Sequence, residues 1–339
     1  MTKSSTSLII GIAILLAGSI FYYFFSDLIS SSFQLTSRAP EKVFHVGVVR
    51  NPPSLDPAWE GFQEGMKLRG YQEGKNIRYS VEAATTPAET TQKVKQMIRQ
   101  NVDLIYVMGV IGGRAVKEAT AMLKPDLPVV FGVISNPVGV GLVERMQSSG
   151  NNLTGITPIN EIVVSKRLEV FAQTVPGLKR IIFGWQDANT TGVENLREAA
   201  RTLGIELVEQ KINSPQELIA FFESFPYRQG DGIMRAADSA SGLASQDIIT
   251  LAREKKIPLS GTNANDVDRG ALMSYGANFH KIGVQAARLA DALLRGAKPS
   301  DLPIELPEEF EFAINLQTAA LLDITIPSSV REKATHIIK

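Results

Sequence analysis

Asp238, Arg50, the Gly112-Gly113 pair, Trp185 and Tyr275 are the residues of this chain whose types best suit recognition of a small molecule. Each follows, or closes, an apolar run that reads as a β-strand. A carboxylate receives an ammonium, an arginine holds a carboxylate through two parallel bonds, and a helix start beside glycines offers free N–H groups to an anion. Aromatic rings cover apolar or cationic parts of a ligand. Together these residues point to a small zwitterion or carboxylate with an apolar body. Asn51, Ser135, Asn136, Asp187, Ser239 and Asn265 lie in the same post-strand loops and complete the candidate set. Plainer readings stand beside these: Arg50 as a solvated loop arginine, Asn136-Pro137 as a turn initiator, Trp185 as a structural tryptophan and Asp238 as a helix N-cap.

Catalytic chemistry finds little support. His45, His280 and His336 are widely separated, and no H-E-x-x-H, G-x-S-x-G or phosphate-loop pattern occurs. The absence of cysteine excludes disulfides, thiolate metal sites and a catalytic thiol. Gly109 to Arg114 lacks the G-x-G-x-x-G spacing and does not follow the first strand, which argues against a dinucleotide fold. Neither cofactor nor metal is expected. The 35 basic and 35 acidic residues cancel without a long single-sign run, so nucleic acid is not an expected partner.

Loops of this kind need parallel sheets to position them. From Val43 the chain alternates short apolar runs with helical patterns, as expected for sheets flanked by helices. The first half reads as strands VFHVGVV, NIRYSVEAA, DLIYVMG and LPVVFGV with helices over PAWEGFQEGMKLRGY, Thr86 to Gln100 and Arg114 to Leu123, followed by NLTGI. The pattern then restarts: helices at Ile162 to Gln173, Gly192 to Leu203, Pro215 to Ser224 and Leu243 to Lys255 alternate with RIIFGW, IELVEQ, DGIMRA and IPLSG. In such sheets ligands gather outside the carboxyl ends of the strands. At 339 residues and 44% hydrophobic composition, about two domains are expected.

Gly270 to Asn315 ties the halves together. Ala271 to Tyr275 reads as a strand broken by Gly276, and Asn278 is placed to cap the helix that follows. Ile282, Ala286, Leu289, Ala290, Leu293 and Leu294 share one face of that helix, with Lys281, Gln285, Arg288, Asp291 and Arg295 opposite. Arg295 suits the negative end of the dipole and Gly296 the helix stop. EFEFAIN then alternates, with Phe310, Phe312 and Ile314 on one side and Glu309 and Glu311 on the other. At the other end, Leu8 to Phe25 is uncharged and as a helix would measure about 27 Å, near the thickness of a bilayer core. It is expected to be an uncleaved membrane anchor (1–29), since its bulky end and the weak Ser30 to Ser32 site fit a cleaved signal peptide poorly, with a polar tether (30–42) leading outside the cytoplasm.

ALMSYG, the amphipathic helix, GAKPSDLPIELPEEFEFAINLQTAALL and the closing TIP resemble the C-terminal signature of the TrpX/TrpY-like ABC transporter substrate-binding proteins. AVKEAT, LPVVFGVISNPVGVGLVERM, GNNLTGI and SKRLEVFAQTVPGLKRI extend the resemblance over about Val43 to the C-terminus. It implies an α/β fold of the type I periplasmic binding class: two doubly wound parallel-sheet lobes joined by three crossovers, with the ligand between them. The expected lobes are 43–155 plus 276–305, and 156–275 plus 306–339. An extracytoplasmic monomer that presents its small-molecule ligand to an ABC permease follows, with a membrane-anchored sensor and an enzyme on the same fold as alternatives. Gly112-Gly113 departs from the family, which often has a small hydroxyl residue there, commonly followed by Pro. Asn136 stands where the family often has Asp, and Asp238-Ser239 falls where similar proteins carry a ligand-contacting Asp-Asn-Thr segment.

Overall fold

The computed structural model of the chain describes residues 42–50, 53–83, 86–158, 160–186 and 192–339. The Leu8 to Phe25 stretch and the tether up to residue 41 lie outside the described residues. Among the described residues no helix is long and apolar enough to cross a membrane.

The first sheet holds β1 (Phe44–Arg50), β2 (Ile77–Ala83), β3 (Leu104–Met108), β4 (Val129–Gly132) and β5 (Leu153–Ile156) in the order β2-β1-β3-β4-β5, all parallel. Between these strands run α1 (Asp56–Leu68), α2 (Pro87–Arg99) and α3 (Val110–Leu123). After α4 (Asn160–Thr174), the second sheet takes β6 (Arg180–Trp185), β7 (Glu206–Lys211), β8 (Asp231–Met234), β9 (Leu259–Gly261), β10 (Met273–Ala277), β11 (Phe310–Asn315) and β12 (His336–Ile338) in the order β12-β11-β10-β9-β8-β6-β7. Its helices are α5 (Val193–Leu203), α6 (Pro215–Ser224), α7 (Ser239–Leu243), α8 (Ser245–Glu254) and α9 (Ala264–Asp268). α10 (Phe279–Leu294) follows β10, and α11 (Leu316–Leu321) and α12 (Ser328–Arg331) precede β12. β3 is LIYVM and buried at every position, as a strand covered on both faces must be. The strand order reverses between β1 and β3 and again between β6 and β8, so each sheet opens a crevice at the carboxyl ends of its strands.

α10 belongs to the first sheet in space although it follows a strand of the second. Its Ile282, Ala286, Leu289 and Leu293 join Val46, Val48, Phe62, Met66 and Tyr106 in one apolar core. α1 and α10 approach so closely that a Cβ on Gly61 would stand 1.9 Å from the His280 carbonyl oxygen, and one on Gly283 2.0 Å from that of Ala58. The chain therefore passes between the sheets after β5 at Pro158, between β10 and α10, and between Glu305 and β11. Asn278 caps α10 as expected, its Oδ1 accepting the Lys281 N–H at 3.0 Å. Glu305, which bridges to Ile156, accepts a bond from Gln285 Nε2 at 2.8 Å, so Gln285 is buried and not on the exposed face its spacing suggested.

Three other local expectations change. Gly276 lies inside β10 and does not break it: a Cβ there would meet the Thr262 carbonyl oxygen at 2.2 Å, so the glycine serves close strand approach. α3 starts at Val110, which puts Gly112 and Gly113 inside the helix and not in the loop before it. The second sheet is not wholly parallel, because β11 runs against β10 and carries β12 with it. Phe310, at the start of β11, is 40% exposed, whereas Phe312 and Ile314 are buried.

Candidate functional site

A cavity of about 70 Å³ lies where the carboxyl ends of the two sheets face each other. Ser54, Leu55, Gly109, Val110, Val133 and Ser135 line it from the first sheet, and Pro158, Ala277 and Phe279 from the crossing segments. Arg235, Ala237, Asp238, Ser239, Gly242, Thr262 and Asn263 form the opposite wall. Leu55, Val110, Val133, Pro158 and Phe279 make one side apolar, while the wall from the second sheet carries charge. The volume is under half of the roughly 150 Å³ cavity that admits benzene in an engineered protein. A ligand with an aromatic side chain would need a wider cleft.

The charged wall is built around Asp266 at the third helical position of α9. Burial pushes its carboxyl up, but Arg235, the Thr262 N–H and Arg269 together outweigh burial and hold it down to about 2. Arg235 Nε and Nη2 donate to Asp266 Oδ2 at 3.1 and 2.6 Å, and the Thr262 N–H donates to the same oxygen at 2.8 Å. Ser245 Oγ and Arg269 Nη2 donate to Oδ1 at 3.1 and 2.9 Å. Behind Arg235 stands Arg167, fully buried, whose Nη1 donates to the Arg235 carbonyl at 3.2 Å and whose Nε donates to that of Tyr275 at 3.0 Å. Burial and the neighbouring Arg235 lower the Arg167 pKa to about 10, with Asp266 opposing them.

Asp238, Ser239 and Ser135 are thus brought to the cavity. Asp238 is also the N-cap of α7: Oδ1 accepts the Ser241 N–H at 2.8 Å and Oδ2 the Gln186 N–H at 2.9 Å. Gly112 and Gly113 are packed away from it, since a Cβ on each would press within 2.8 Å of Val107 and 2.7 Å of Ile134. The helix start that borders the cavity is Gly109-Val110, one turn earlier. Arg50 pairs with Asp56 at 3.5 Å, and Asn136 sits in a left-handed turn at φ 46° with its Oδ1 accepting the Gly139 N–H at 2.8 Å. Neither lines the cavity. Trp185 and Tyr275 pack instead, partly buried, against the core of the second sheet, Trp185 beneath the Arg197 guanidinium and Tyr275 stacked on Phe310. Asn265 borders a separate hollow beside Asp268, His280 and His336. Asn51 and Asp187 lie outside the described residues.

Sequence reasoning missed Arg235, Thr262 and Phe279. The signal for Arg235 was a single charge inside the apolar run GIMRAA, which calls for a buried partner.

Comparison with known proteins agrees with this fold. The chain is 27% identical over 293 residues to a tyrosine-binding protein of Clostridioides difficile (strain R20291), covering 85% of this chain and 83% of that one. The crystal structure of a conserved domain protein from Vibrio cholerae superposes with a TM-score of 0.77 at 29% identity, covering 87% of this chain and all of the other. An ABC domain from Streptococcus pneumonia in complex with L-Trp shares the fold at a TM-score of 0.78 and 24% identity, covering 87% and 99% of the two chains. The model of the family described as ABC transporter substrate binding protein matches residues 44–338, which takes in both sheets and every crossing between them. The chain therefore belongs to the family of ABC transporter substrate binding proteins, and it is a binding protein and not an enzyme.

Proposed function

We propose that the protein captures an amino acid with an aromatic side chain in the cavity between the two sheets and hands it to an ABC permease. The observation that carries this reading is the asymmetry of the cavity: a buried guanidinium and a carboxylate on one wall, apolar side chains on the other. Among the described residues Arg235 spends Nε and Nη2 on Asp266 and Thr262, which leaves Nη1 as a donor for the ligand carboxylate. The N–H groups that open α3 at Gly109-Val110 add a second place for negative charge. Asp238 favours the ammonium. The tyrosine-binding relative supports the same ligand class.

In this reading residues 43–155 plus 276–305 and residues 156–275 plus 306–339 move as two bodies about the three crossings, opening the cleft for the side chain and closing over it. The protein works outside the cytoplasm, held by the Leu8 to Phe25 stretch. Small-angle scattering of the folded part tests the motion: saturating L-tyrosine or L-tryptophan makes the protein more compact, and an unchanged profile despite measured binding contradicts closure. Mass spectrometry of whatever co-purifies tests the ligand class, with a neutral sugar as the result against it. Recovery of a mature N-terminus near Ser30 to Pro40 on protein released from cells contradicts the anchor.

A further inference from the structure

Asn263 occupies the N-cap position of α9 yet caps nothing. Asparagine at that position normally turns its side-chain oxygen to a free N–H of the first turn. Here Nδ2 donates to Thr262 Oγ1 at 3.1 Å, while Oδ1 is buried without a partner among the described residues. The residue is 4% exposed and stands between the cavity and the hollow beside Asp268, His280 and His336, lining both.

The hydrogen-bond chemistry behind it favours one orientation of the amide. Thr262 Oγ1 receives a bond from Arg235 Nη2, which can only donate, and lies 3.2 Å from Asp266 Oδ2, which as a carboxylate can only accept. With its single proton given to Asp266, the hydroxyl has a lone pair left for the Asn263 NH₂, which donates to it at 3.1 Å. The Arg235-Asp266 pair thus acts through Thr262 to favour an Asn263 oxygen turned away from Thr262 and left without a donor among the described residues.

An enclosed acceptor without a donor calls for a ligand that brings one. Asp238 places negative charge on the same wall, so the donor that fits best is cationic. We propose that Asn263 Oδ1 accepts a hydrogen bond from the ligand ammonium and makes the site distinguish an amino acid from the corresponding des-amino acid. This rests on the amino-acid reading of the cavity and adds the residue that enforces it.

The test is a cycle on the folded part of the chain by calorimetry or competition: wild type and Asn263→Leu, each with L-tyrosine, L-tryptophan and their des-amino analogues. The readout is the preference ratio, the dissociation constant of the analogue over that of the amino acid. Wild type prefers the amino acid, and Asn263→Leu lowers the ratio by about 10- to 100-fold, the usual value of a hydrogen bond to a charged group. Melting of the unliganded variant is recorded as a folding control, and because the ratio cancels any general loss of binding, a merely structural role leaves it unchanged. A ratio that survives in Asn263→Leu overturns the assignment while leaving the amino-acid reading intact. Wild type that binds amino acid and analogue equally overturns the ammonium contact. Wild type that binds neither, and takes another class of ligand, overturns both.

Discussion

Arg235 and Asp266 form an ion pair closed to solvent on both sides, with Nη2 2.6 Å from Oδ2 and the side chains 3% and 0% exposed. The pair joins the end of β8 to α9, and through Thr262 and Ser245 it also fixes the end of β9 and the start of α8. One wall of the cavity is thereby a single polar unit.

Removing the charge from one partner should be costly because the other stays buried. Asp266→Asn leaves Arg235 uncompensated, and a destabilisation of about 3 to 5 kcal/mol is expected from denaturant unfolding. A loss under about 1 kcal/mol, within the range of exposed pairs, would show that the pair is open to water.

The same carboxylate gives a pH signature. Its pKa is about 2 in the folded chain against an ordinary 3.8, so the folded state binds fewer protons between these values and stability rises with pH across that window. The contribution is complete above about pH 4 and is lost as pH falls through about 2. Acid titration of unfolding free energy should show a steeper loss from pH 4 to 2 in the wild type than in Asp266→Asn, and parallel curves would contradict the assignment.

Packing of α1 on α10 offers a third test. Gly283→Ala places a methyl group 2.0 Å from the Ala58 carbonyl oxygen. The helices must separate, at a cost of about 1 to 3 kcal/mol or more. An unchanged melting point would mean that this contact is looser than described.

Much of this scaffold was legible because burial leaves a period. The α10 stripe of Ile282, Ala286, Leu289 and Leu293 and the cap at Asn278 are local patterns, and both are found where expected. The site was less legible because it is assembled from distant positions. Asp266 and Arg235 are separated by 31 residues, and nothing in either neighbourhood names the other. The glycines misled for a physical reason: Gly112, Gly113 and Gly276 look like loop or breaker residues in sequence, but here they answer to neighbours such as Val107, Ile134 and the Thr262 carbonyl. In sequence Trp185 and Tyr275 look like strand-end aromatics of a cleft, yet Tyr275 lies in the middle of β10 and both rings pack, partly buried, against the core of the second sheet.

Asp238 is the N-cap of α7 and, in the proposed function, the partner of the ligand ammonium, two roles that one substitution can separate. With both carboxylate oxygens accepting backbone N–H groups, Asp238→Asn keeps one acceptor and turns an NH₂ toward the other N–H. Unliganded protein should lose about 1 to 3 kcal/mol. An unchanged apo melting point would argue against the capping geometry. A further loss of amino-acid affinity, beyond that of the des-amino analogue, identifies the contribution of its charge to the ammonium.

Titration of the folded part with L-tyrosine and L-tryptophan by calorimetry, beside a panel of sugars and free nucleotides, tests the central claim most directly. Saturable one-to-one binding of an aromatic amino acid is expected, with a stabilisation of roughly 2.7 kcal/mol at 100 times the dissociation constant. Binding confined to neutral sugars or nucleotides, with no heat and no melting shift from any amino acid, would contradict it.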